Sequence, residues 1–81
     1  MNIKKIINKK QATIDELFTC LEEIKNSGDI FILKMDGERE NNQNTIMITF
    51  PKSNKEMIRH DGESLKVLIK KALSDYIRNN N

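Results

Sequence analysis

With one histidine, one cysteine and one proline, this 81-residue chain is poor in the residues from which most catalytic and metal centres are built. Cys20 has no second cysteine with which to close an internal disulfide. With His60 as the sole imidazole, the chain also falls short of a structural zinc site made from cysteine and histidine alone. Mixed sites with carboxylates have no ligand spacing behind them, so neither a metal nor a cofactor is expected. Only three glycines are present, and none forms an elbow that would present a serine as a nucleophile. Tryptophan is missing and aromatic residues make up 5% of the chain, which leaves few platforms for stacking nucleic-acid bases. No apolar run approaches the roughly 18 residues that a membrane span needs. The first lysines are followed by neither an apolar stretch nor a small-residue cleavage site, so no anchor and no secretory signal is read, and the expected compartment is the cytoplasm.

What is present suits a small soluble domain: 37% apolar and 32% charged residues. At this length folding hides only about 60% of the surface exposed by the unfolded chain. The core is therefore thin, and a binding surface is expected ahead of an enclosed active site. The charge is unevenly placed. Lys4, Lys5, Lys9 and Lys10 stand without an acid among residues 1–11, whereas the remainder carries ten Lys/Arg against twelve Asp/Glu. The basic character belongs to an N-terminal arm, and the body is mildly acidic. The abundance of Ile, Lys and Asn points toward an AT-rich bacterial or phage genome.

The pattern divides the chain into a basic arm (1–11), one α+β domain (12–78) and a frayed tail (79–81). Ile3, Ile6 and Ile7 lie among the arm's lysines and are expected to pack on the body, whether as helix, strand or loose arm. Thr13 and Glu16 have the spacing of a capping box, and Ile14, Leu17, Phe18, Leu21 and Ile24 continue at helical spacing until Asn26-Ser27-Gly28 supplies a stop. The outer face of this helix, with Asp15, Glu16, Glu22 and Glu23 against Lys25, is acidic. At Ile30 the period changes: Ile30 to Met35 reads as a strand whose start is buried on both faces. The polar stretch from Asp36 to Asn44 reads as a long, mobile hairpin tip. A second strand follows from Thr45 to Phe50 and stops at Pro51. Residues 56–60 can form a third strand. From Asp61 onward, Leu65, Leu68, Ile69, Ala72, Leu73, Tyr76 and Ile77 mark a helix with one apolar stripe, capped by Asp61 or Gly62. The fold class that buries these stripes is α+β, in the order helix, strand, strand, probable third strand, helix: a small antiparallel sheet with two helices packed on one face. Met47 and Thr49 fall on the other face of that sheet, a surface for dimerisation or for a partner.

Few constellations carry chemistry. His60-Asp61 is the only imidazole and carboxylate pair adjacent in sequence, but neighbours in a strand point to opposite sides. His60 is read as a surface residue at a strand end, and Cys20, in an acidic helix, as a buried or half-buried packing residue rather than an activated thiol. Asp36, Glu38 and Glu40 lack the spacing of a calcium loop. Lys66, Lys70, Lys71 and Arg78 leave the last helix basic, and with the arm they could form a phosphate-binding stripe.

The order of helix, three strands and helix resembles the double-stranded-RNA-binding domain. In that family the last helix opens with a glycine followed by a dense lysine and alanine motif, whereas here Gly62 is followed by Glu63-Ser64-Leu65-Lys66. Residues 46–77 are similar to HicB-type antitoxins: a strand ending in Phe50-Pro51, a short loop and strand, then Asp61-Gly62-Glu63-Ser64-Leu65 opening a terminal amphipathic helix. The loop lacks that family's Pro-Gly-Cys signature, the first helix is additional, and no DNA-binding segment follows. No functional residue is carried over from either family.

The expectation is therefore a non-catalytic binding protein acting by protein-protein interaction, of the inhibitor, antitoxin, immunity or phage-modulator type, with a homodimer as one form of that interaction. The alternative is a nucleic-acid-binding regulator. The candidate binding residues are Lys4, Lys5, Lys9, Lys10, Lys66, Lys70 and Lys71, with Met47 and Thr49 on the sheet.

Overall fold

A computed structural model describes residues 3–79. Six elements follow in order: α1 (Ile3–Ile7), α2 (Ile14–Asn26), β1 (Ile30–Met35), β2 (Asn44–Thr49), β3 (Ile58–Gly62) and α3 (Leu65–Asn79). The fold is α+β, with an antiparallel meander in the order β1-β2-β3. The third strand is present, two residues beyond the expected 56–60. Of the expected tail, Asn79 closes α3, and residues 80 and 81 lie outside the described residues.

Both ends of α2 and the start of α3 have a local cause. The Thr13 hydroxyl accepts from the Glu16 amide at 3.1 Å, and the Glu16 carboxylate accepts from the Thr13 amide at 3.0 Å, completing the capping box at the start of α2. At its other end Gly28 takes φ +90°, which lets the Gly28 amide donate to Lys25 and the Asp29 amide to Ile24, the paired bonds of a Schellman stop. The last helix begins later than expected. Asp61 and Gly62 do not cap it: both belong to β3, and it is the Ser64 hydroxyl that accepts from the Val67 amide at 3.4 Å. The strand consumes the residues that the sequence pattern assigned to the turn.

The register places Phe31, Leu33 and Met35 beside Ile48, Ile46 and Asn44, and these beside Ile58, His60 and Gly62. Because directly opposed residues share a face, these nine form the side covered by helices. α2 lies against β1, and α3 lies against β2 and β3. The short α1 packs on α2 and α3, delivering Ile3 and Ile6 to the core as the arm's isoleucines were expected to do. Leu17, Cys20, Ile24, Ile46, Ile48, Ile69 and Leu73 are fully buried around them. Fully burying such side chains stabilises by about 1.5 to 3 kcal/mol each. The core is closed at one end by Tyr76, stacked on Phe50 with ring centroids 5.9 Å apart and its hydroxyl donating to Asp29 at 2.8 Å.

Two apolar patterns depart from expectation. In α2 the buried stripe is Leu17, Cys20 and Ile24, and Ile14 and Phe18 are exposed on its flank. In β1 the apolar run is not buried on both faces: Phe31 alone is half-buried and the rest is exposed. Both have one cause. A meander leaves its first strand on the edge, and α2 does not extend across it.

The exposed edge and the lysine surface

The outer side of β1 is one of the two unpaired edges of the sheet, and several large apolar side chains stand exposed along it. Met35 is 67% exposed, Phe18 48% and Ile30 47%, with Ile32 and Leu33 exposed beside them. Between α2 and β1 runs a shallow groove whose walls are Phe18, Leu21, Phe31 and Leu33, with Glu22, Lys25 and Asp29 along the rim. Among the described residues no strand pairs with this side of β1. The direction of its free main-chain groups follows from the ladder. The Asp36 amide donates to the Gln43 carbonyl at 2.7 Å, one residue beyond the last β1-β2 partners, so Asp36 faces β2. In an antiparallel ladder alternate residues face the partner, so Ile30, Ile32 and Lys34 also face β2. Phe31, Leu33 and Met35 therefore turn their N–H and C=O groups outward. Groove and free main chain lie side by side, the combination that accepts an added strand.

The uncovered sheet face is different. Ile30 and Ile32 continue into the half-buried Met47 and Thr49, the two residues expected there. Beyond them the surface becomes a polar network. Thr45 donates its hydroxyl to Asp61, Arg39 reaches Thr45 at 3.0 Å, Asp61 at 3.2 Å and the Asn42 carbonyl at 3.1 Å, and Arg59 pairs with Asp61 at 3.2 Å. Arg39 also pairs with Asp36 at 3.3 Å, and Gln43 donates to its carbonyl. The expected loose tip between β1 and β2 is thus tied back onto the sheet. The Asp61 carboxyl is held well below the usual carboxylate range, first by the Thr45 hydroxyl and then by Arg59 and Arg39. Asp36 is lowered as well, chiefly by the Glu38 amide.

The candidate lysines divide into two helices that the fold brings together. α1 carries Lys4 and Lys5, both exposed, with Lys9 and Lys10 just after it, and it packs on α3, which carries Lys66, Lys70 and Lys71. Lys70 Nζ lies 3.5 Å from the Lys9 carbonyl. Lys9 itself pairs with Glu16 and lowers that carboxyl below its ordinary range. Met47 and Thr49 lie across the sheet from this surface and do not join it.

No nucleophile and base come together. His60 faces α3 and its Nε2 lies 2.7 Å from Asp75, which also binds Arg78, so His60 is not the surface strand-end residue read from the sequence. Asp61 points to the opposite side. Cys20 is fully buried, and its thiol is pushed up to about 11 by burial and by Glu23 and Glu16. Among the described residues no cluster of three His, Cys, Asp or Glu is placed to hold a metal ion, and no helix is long and apolar enough to cross a membrane.

The edge residues Phe18, Ile30, Ile32, Leu33 and Met35 were not among those singled out from the sequence. The signal was available: three strands joined consecutively must leave the first on an edge, where an unbroken apolar run is unexplained by burial. No family model, no curated protein and no solved structure matches the chain.

Proposed function

We propose that this chain is a small non-catalytic, cytoplasmic binding protein that acts by protein-protein interaction, in the manner of an inhibitor, antitoxin, immunity protein or phage-encoded modulator, with the β1 edge and its groove as the docking surface. The observation that carries this reading is the coincidence of exposed large apolar side chains with outward main-chain groups along one edge. Edge strands of soluble proteins are commonly guarded by charge, proline or a bulge. β1 has Lys34 as its only charge and no proline. A protein segment added here would gain main-chain hydrogen bonds from Phe31, Leu33 and Met35 and bury apolar surface in the groove. The test is affinity capture from host lysate with the native chain and with Leu33→Lys. A specific protein retained by the first and lost from the second supports the reading; equal recovery by both refutes this surface.

The second reading, a nucleic-acid-binding regulator, rests on the packing of α1 against α3, which sets the two lysine groups side by side. Two features weigh against it: Lys9 is engaged by Glu16, and the neighbouring α2 is acidic. Nucleic-acid binding would weaken steeply as salt rises and would fall on charge reversal at Lys66 and Lys70. Absence of binding at low salt removes it.

A further inference from the structure

We infer that the β1 edge takes an extended segment of a basic protein, a strand whose apolar residues alternate over the groove and whose flanking lysines or arginines meet the carboxylates of α2 and of the hairpin tip. This rests on the reading of the edge as a docking surface and names the chemistry of its occupant.

The main chain of Phe31, Leu33 and Met35 opens outward, and their side chains stand on the helix side of the sheet, where Phe18 and Leu21 form the facing wall of the groove. A strand added here places every second side chain over that groove. Main-chain hydrogen bonds accept any sequence and so do not choose a partner. Charge does.

Asp15, Phe18 and Glu22 share one face of α2 by helical spacing, and Phe18 and Glu22 already line the groove. Residues 27–29 return the chain from α2 to β1, so the N-terminal end of the helix, with Asp15, lies toward Met35. Beyond Met35 the connection to β2 adds Glu38 and Glu40, both exposed, as are Asp15 and Glu22. Its one cation, Arg39, is turned away onto Thr45 and Asp61. Two lysines remain near the edge. Lys25 stands at the other end of the groove, and Lys34 projects from the uncovered face and pairs with Asp36 at 3.6 Å.

The Met35 half of the seat is thus apolar along the strand and acidic around it. An acidic strand would be repelled there, and a neutral one would leave these carboxylates without a counter-charge. A second copy would set two acidic α2 helices side by side, so the chain does not supply its own occupant. Lysine or arginine flanking an alternating apolar run satisfies both demands, its aliphatic stem lying over apolar surface while its charge reaches the rim.

The probe is a capped synthetic peptide with a short run of alternating valine and threonine between paired lysines, titrated into the native chain at low salt with amide hydrogen exchange as the readout. Two controls accompany it: the same run between paired glutamates, and the lysine peptide with a central proline, which removes a main-chain donor. The lysine peptide is expected to bind and to protect the amides of Phe31, Leu33 and Met35. The glutamate peptide should bind at least about tenfold more weakly, and the proline peptide should protect none of the three. The double variant Asp15→Asn with Glu22→Gln should lose about five- to tenfold in affinity for the lysine peptide. If that variant fails to fold, the comparison of lysine and glutamate peptides on the native chain decides alone. Equal affinity for the two, absence of binding by the lysine peptide, or binding that leaves the three amides unprotected overturns the basic occupant. Protection that rises with protein concentration without peptide gives the edge to a second copy and overturns it as well. In each case, lysate capture that still distinguishes the native chain from Leu33→Lys leaves the edge as a docking surface; capture that does not removes both.

Discussion

Asp61 shows how one side chain acquires a role that its sequence neighbours did not suggest. Adjacent to His60 it resembled half of a catalytic pair or a helix cap, yet strand alternation sends it to the uncovered face, where Thr45, Arg59 and Arg39 converge on it. A carboxyl lowered on folding contributes stability that is complete above its unfolded value, about 4, and is lost as pH falls through the folded value. Stability should therefore decline below about pH 4. Asp61→Asn should flatten part of that decline, read from urea midpoints against pH; an unaltered slope would mean that the network does not hold in solution. Gly62 illustrates a steric constraint instead. A Cβ there would lie 2.9 Å from the buried Leu68 side chain, so Gly62→Ala should destabilise by about 1 to 3 kcal/mol through overpacking.

The elements differ in how far their own residues explain them. α2 is specified at both ends by local chemistry, and Thr13→Ala, which removes the reciprocal cap, should lower unfolding free energy by about 1 kcal/mol. α1 is the opposite case. Five residues are too few for a helix to persist alone, so its stability comes from Ile3 and Ile6 packed between α2 and α3. Ile3→Ala should cost about 2 to 5 kcal/mol in chemical denaturation, and a cost within about 0.5 kcal/mol of zero would show that α1 does not dock. Helix stripes were legible because the 3.6-residue period survives in sequence, and α3 buries Leu68, Ile69, Ala72, Leu73 and Tyr76 as its spacing predicts. The stripe of α2 was read one flank too wide, because Ile14 and Phe18 keep helical spacing without having anything opposite them. Periodicity records which residues could face a core, not whether the core reaches that far.

At the scale of the whole molecule, a single thin core joins all six elements, and Cys20 sits within it. With its thiol buried and raised to about 11, labelling by a thiol reagent at pH 8 should proceed only through opening of the fold, at a rate that tracks denaturant-dependent stability. Rapid labelling under native conditions would contradict this packing. Sequence by itself determined the α+β class, the capped α2, the glycine stop at Gly28, the apolar face of α3 and the scarcity of catalytic side chains, because each depends on residues within a few positions of one another. Tertiary structure decided which strand lies at the edge, which apolar residues stay exposed, where Asp61 and His60 point and which lysines become neighbours. Those outcomes depend on strand order and helix reach, which are set by how distant segments share one small core. That is why the apolar run of β1 that local pattern had assigned to the interior stands exposed at the edge of the sheet.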